Sequence, residues 1–81
     1  MKLIRYQVGK SRIPELCEKR GINQTQLAEL VGISKGRVSE YVSLQYFPGV
    51  VIARNMAYHL NCAIEELYDW ELVSGNEEEG Q

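Results

Sequence analysis

Little in this sequence suits metal, disulfide or covalent chemistry. It contains one histidine, His59, and two cysteines, Cys17 and Cys62. Two cysteines are too few for a disulfide framework. Their separation fits no zinc pattern, and His59 brings no second ligand near it. Both thiols are read as small buried hydrophobes, the common setting of a free cysteine. A nucleophile–base pair and a glycine-rich phosphate loop are also missing, and His59 falls on an amphipathic helix. No catalytic residue, metal ligand or cofactor is assigned, and an enzyme is not expected. Long apolar runs are absent, which excludes a transmembrane helix. The opening MKLIRYQVGK carries charge inside its apolar stretch and no apolar region of useful length follows. It is a poor secretion signal, and a cytoplasmic location is expected.

Basic residues are missing from the last third of the chain. Residues 1–54 hold all nine Lys and Arg and only four acids (Glu15, Glu18, Glu29, Glu40), a balance of +5. Residues 55–81 hold seven acids and no base, a balance of −7, which together recovers the net charge of −2. The local field and not the total attracts a polyanion, so the basic part remains compatible with a phosphate-bearing partner. The 81 residues hold one domain with a modest core, which suits a single compact helical bundle. A separate ligand-sensing domain does not fit within them.

Local signals divide the chain. Lys2 to Val8 is apolar and partly β-branched, so residues 1–10 are expected to form an N-terminal arm or a short strand. Ser11 is a candidate cap for a first helix with Pro14 in its first turn, and Gly21 is its stop. Asn23 with Gln26 three residues on is a capping-box variant opening a second helix, which ends at Gly32. Ser34 caps a third helix with Val38, Tyr41 and Val42 inward. Phe47-Pro48-Gly49 is a loop. A fourth helix runs to about Leu60 with Val50, Ala53, Met56, Ala57 and Leu60 on one side. A fifth is expected from about Ala63 to Trp70. The folded domain therefore covers residues 11–73. Residues 74–81, SGNEEEGQ, lack apolar side chains and are expected to be a disordered acidic tail.

The stretch Gln24 to Val42 places two helices of about eight residues around Val31-Gly32-Ile33-Ser34. Ala28 is small where the helices approach, Gly32 permits the turn, and Ile33 and Val38 tie one helix to the other. This pattern is that of a helix-turn-helix. With Gln24, Leu27-Ala28, Gly32-Ile33-Ser34, Val38-Ser39, Pro48, Ala57, Leu60 and Ile64-Glu65-Glu66-Leu67, the chain resembles the phage-repressor-like helix-turn-helix family, of Cro and repressor type, also called the XRE family. The resemblance runs from about Ile13 to Trp70. It implies an all-α, five-helix, lambda-repressor-like domain. Val42 and Leu44 stand where the family often has an acidic residue and then a glycine, and Gln45 and Tyr46 replace a usual basic pair. A longer third helix is therefore open, as is a protein contact for Tyr46 and Phe47. Cys17 stands where arginine is common, and Ala63 where a Ser or Thr cap is common.

The resemblance implies a sequence-specific regulator of transcription, a repressor in the first instance, with double-stranded operator DNA as its partner. The helix from Ser34 to Val42 would enter the major groove. Ser34, Lys35, Gly36 and Glu40 lie where the family contacts base edges. Arg37 is placed to reach a base or a phosphate, and Ser39 shares the outward face. Lys and Arg suit the guanine edge, and Glu accepts from cytosine. Arg37 and Glu40 are also spaced to pair with each other. Gln24 and Thr25 open the preceding helix, whose free N–H groups suit a phosphate. A homodimer is expected, joined through either the Leu3–Val8 arm, edge to edge, or the Tyr68–Leu72 end. Two other functions share the fold: an antitoxin that blocks a toxin protein, and an interaction module without DNA binding.

Overall fold

The computed structural model describes residues 2–76. In chain order it contains strand β1 (Lys2–Ser11), helices α1 (Ile13–Arg20), α2 (Gln24–Val31), α3 (Lys35–Val42) and α4 (Val50–Leu60), a 3-10 turn (Ile64–Leu67) and strand β2 (Tyr68–Asn76). The expected all-α, five-helix bundle is thereby corrected. The fold is mainly helical, with four α-helices and a two-stranded antiparallel sheet.

Each helix boundary has a local cause. Gly21 closes α1 in the left-handed conformation (φ 73°), its N–H donating to the carbonyls of Cys17 and Glu18. At the other end Arg12, not Ser11, is the capping residue; the Ser11 hydroxyl lies one position earlier and accepts from the Ile13 N–H at 3.2 Å. In α2 the Asn23 side chain accepts from the Gln26 N–H at 2.8 Å, and the Gln26 side chain accepts from the Asn23 N–H at 2.9 Å. Two donors that the helix cannot satisfy internally are thus satisfied reciprocally. Gly32 (φ 84°) ends α2, and Ser34 caps α3 by accepting from the Arg37 N–H at 3.1 Å. Helix α3 does not run long: it ends at Val42, and Leu44 takes a left-handed φ of 65°, which breaks the helical path.

The expected fifth helix is only a single 3-10 turn. Alanine at position 63 has no side-chain oxygen to hold the free N–H groups of a first turn. Only the reverse half of a capping box forms, with Glu66 Oε1 accepting from the Ala63 N–H at 2.7 Å. Tyr68 is already extended (φ −136°, ψ 155°), and β2 pairs with β1 from there. The register runs from Ser11 opposite Tyr68 through Val8 opposite Trp70 and Tyr6 opposite Leu72 to Lys2 opposite Asn76, with a bulge between Val8 and Lys10. Strand β2 takes in Ser74, Gly75 and Asn76, which the expected disordered tail had included; residues 77–81 lie outside the described residues. The Leu3–Val8 arm accordingly has one of its edges occupied by β2.

The core sits among the four helices and the base of the sheet. Ile13, Leu27, Val38, Met56 and Leu67 are its fully buried centre, joined by Leu16, Cys17, Tyr41, Ala53, Leu60 and Tyr68. The Arg12 N–H donates to the Leu67 carbonyl at 2.8 Å, tying the start of α1 to the turn before β2. Val50 was expected on the inner side of α4. It is 76% exposed, because it occupies the first turn beyond Gly49 and overhangs the edge of the core.

Candidate nucleic-acid interface

Helix α3 is fixed from within and open without. Val38 is fully buried and Tyr41 nearly so, which anchors the inner face against α2. Lys35, Gly36, Arg37 and Ser39 are exposed on the other side, Ser34 sits exposed at the cap, and Glu40 is half-buried. The six residues expected to face a ligand here, Ser34, Lys35, Gly36, Arg37, Ser39 and Glu40, therefore lie on one helix of eight residues and its cap. Gln24 and Thr25 sit on a different element, at the first two positions of α2, Gln24 half-buried and Thr25 exposed. The capping box occupies the Gln26 N–H, and the Leu27 N–H bonds the Asn23 carbonyl at 3.0 Å. The N–H groups of Gln24 and Thr25 remain as the outward donors of that turn.

Arg37 is not a loose arm. Its Nη1 lies 3.2 Å from Glu40 Oε1, one helical turn on. Its guanidinium carbon lies 5.7 Å from the centroid of the Tyr46 ring. An exposed pair of this spacing contributes a few tenths of a kcal/mol, and a cation over a ring about 0.5–1 kcal/mol at an exposed site. These are small against a bidentate contact to a base or phosphate, so they orient Arg37 without locking it. Gly36 adds an opening: a Cβ built there would meet only the Ser34 hydroxyl, at 3.9 Å.

The charge asymmetry of the sequence is partly folded back on itself. Lys10 Nζ lies 3.7 Å from Asp69, and Arg12 Nε lies 3.8 Å from the same carboxylate. Arg12 also holds Glu15 at 2.7 Å, and Lys19 approaches Glu15 at 3.9 Å. The Arg12 guanidinium, by hydrogen bond and charge, holds the Glu15 carboxyl below the ordinary carboxylate range. Some of the basic excess of residues 1–54 is thus spent inside the fold, against acids of α1 and β2.

A family model for the Cro/C1-type helix-turn-helix DNA-binding domain matches residues 12–72. The chain belongs to that family. It is 34% identical over 71 residues to the SPbeta prophage-derived uncharacterized HTH-type transcriptional regulator YopS of Bacillus subtilis (strain 168), which covers 86% of this chain and 96% of that protein. It is 34% identical over 61 residues to a second such regulator of the same strain, YotL, covering 74% of this chain and 76% of that one.

In this Cro/C1-type domain two packing features were not foreseen from the residues. One is the placement of Tyr46 under Arg37, where Tyr46 had been left as a possible protein contact. The signal was faint, since the ring reaches Arg37 only because Leu44 turns the chain back. The other is the lower end of the sheet, where the Phe47 ring packs edge-on against Tyr68 at 5.9 Å. Both cysteines are removed from the interface: Cys17 is buried and Cys62 half-buried, and burial pushes both thiols up. Among the described residues no helix is long and apolar enough to cross a membrane.

Proposed function

We propose that this protein is a cytoplasmic repressor that binds a two-fold operator as a homodimer, with α3 in the major groove and the start of α2 on the flanking phosphates. That it is a DNA-binding transcriptional regulator follows from its family. The observation that carries the docking is the outward row on α3, where Lys35, Arg37 and Glu40 flank a bare Gly36 while Val38 and Tyr41 are gripped by the core. A rigid helix with one naked backbone position and alternating charge suits base edges, where lysine and arginine donate to guanine and glutamate accepts from cytosine. Ser34 and Ser39 add donors and acceptors that fit either base. Gln24, Thr25 and their free N–H groups hold the backbone and set the register without reading sequence.

One recognition helix reads few base pairs, and a dimer doubles the site with half-sites one helical turn apart. Enrichment of bound duplexes from a random pool tests the reading, and a palindromic pair of half-sites is the expected product. On the enriched duplex, Lys35→Ala is expected to cost about 1–3 kcal/mol and to relax preference at one position. Arg37→Ala does the same if the guanidinium reads a base; if it holds a phosphate, it weakens all sequences alike and lowers the salt slope by about one unit. Gln24 is neutral, so Gln24→Ala lowers affinity with the slope unchanged. If all three variants bind like the parent, α3 is not in the groove.

A further inference from the structure

The sheet has a face with too little protein beneath it. Side chains alternate between the two faces of a strand, and directly paired residues share a face. Tyr68, Trp70 and Leu72 of β2 therefore lie on one face with Val8 and Tyr6 of β1, and Ile4, opposite Ser74, continues it. The face begins in the core, where Tyr68 is buried, passes the half-buried Val8, and then runs out from the helices. Beyond that point Trp70 is 46% exposed, Leu72 58%, Ile4 63% and Tyr6 68%. Trp70 is fixed there by its indole N–H, which donates to the Glu65 carbonyl at 2.7 Å. It joins two clefts, one with Tyr6 and Glu65, the other with Val8, Phe47 and Val50. A two-stranded ribbon alone is marginal in water and needs its apolar face covered.

We propose that a second copy of this chain covers this face, the two ribbons packing face to face about a two-fold axis. The proposal rests on the homodimer reading above and assigns its interface. Area supports it: Ile4, Tyr6, Trp70 and Leu72 with Phe47 and Val50 present on the order of 700 Å² at their observed exposures, near the ~800 Å² per partner of a standard interface. Composition supports it too, since Trp and Tyr concentrate at the centres of stable interfaces. Charge distinguishes face packing from edge pairing. Strand β1 carries Arg5 and Lys10, and β2 carries Asp69 and Glu71. A two-fold edge contact sets β1 beside its own copy or β2 beside its own, aligning like charges. Face packing avoids this: Gln7 and Glu71, bonded to each other at 3.0 Å, and Arg5 opposite Val73 lie on the other face and stay in water.

The test is the mass of the full chain without DNA, by sedimentation equilibrium across a range of concentrations. Twice the 9.3 kDa chain mass is expected. Trp70 is the single tryptophan, so its emission should shift to the red on dilution as the face is uncovered. Leu72→Lys and Tyr6→Lys, both at exposed positions, should give monomers with the helical circular dichroism retained, whereas Val73→Lys on the opposite face should remain dimeric. A monomer at the highest soluble concentration overturns the proposal and leaves the face to another occupant. So does a dimer that survives Leu72→Lys and Tyr6→Lys, or one that Val73→Lys dissociates equally. Should the face variants unfold, the mass and the dilution shift of the unmodified chain still decide. DNA binding is scored separately: a dimer that selects no duplex sinks the regulator reading alone, and a monomer that selects one sinks only the interface.

Discussion

Gly36→Ala should move stability and DNA affinity in opposite directions. Position 36 lies in the first turn of α3, and a methyl group there meets nothing closer than the Ser34 hydroxyl at 3.9 Å, an ordinary contact. The folded chain therefore accepts alanine without strain. Glycine in a helix is less stable than alanine by roughly 0.5–1 kcal/mol, chiefly through the freedom it regains on unfolding. For a domain of this size that corresponds to a melting temperature higher by roughly 2–8 °C. With α3 docked in the major groove as proposed, the same methyl would enter the space through which the backbone approaches the base edges. Forcing a methyl into a close-packed contact costs about 1–3 kcal/mol, a loss of roughly 5- to 150-fold in affinity. The assay pairs a thermal melt followed by circular dichroism with titration of the enriched duplex. An alanine variant that is more stable and binds as tightly as the parent would refute the close approach at Gly36. A less stable one would refute the account of α3 itself.

Three further outcomes follow from caps, burial and charge. Asn23→Ala removes the oxygen that accepts from the Gln26 N–H at 2.8 Å and is expected to lower stability by about 1 kcal/mol in denaturant titration. The Tyr68 hydroxyl is buried without a hydrogen-bond partner among the described residues, so Tyr68→Phe should hold or raise the melting temperature, and a clear fall would show that the hydroxyl is bonded. Glu15, held low by Arg12, adds stability that is fully present above the ordinary carboxylate range and is lost as pH falls through its depressed value. Melts across an acid series should show Glu15→Gln losing part of the parent's acid sensitivity and matching its slope at neutral pH.

The helix-turn-helix was legible because its determinants are local. Asn23 with Gln26, Gly32 and Ser34 each satisfy or end a helix within four residues, and the structure shows all three devices. Of the sheet, a strand within residues 1–10 was open to reading, but β2 and its pairing were not, because the pairing joins residues far apart in the chain. Ile64 to Leu67 begins with helical spacing, and extending that period through Tyr68 and Trp70 concealed the alternation Tyr68, Trp70, Leu72 against Asp69, Glu71. Nothing near Trp70 announces that Val8 is its partner. Val50 misled for a related reason: its spacing from Ala53 and Ala57 is right, but a first-turn residue faces whatever lies beyond the helix end, and here that is an open cleft. On α3 the residue types, their outward face and the Arg37–Glu40 spacing could be read, but the hold of Tyr46 on Arg37 depends on the turn at Leu44.

The pairing of β1 with β2 also bears on how the chain is made. Ser11 meets Tyr68, 57 positions later, and Lys2 meets Asn76 last of all. A ribosome adds roughly 5–20 residues per second, so β1 waits several seconds for its partner. During that interval Ile4, Tyr6 and Val8 form an apolar strand without its partner, whereas the helices draw on contacts nearer to them in sequence. Until β2 follows, the unpaired edge of β1 is the part of the nascent chain open to chaperones and to other nascent chains.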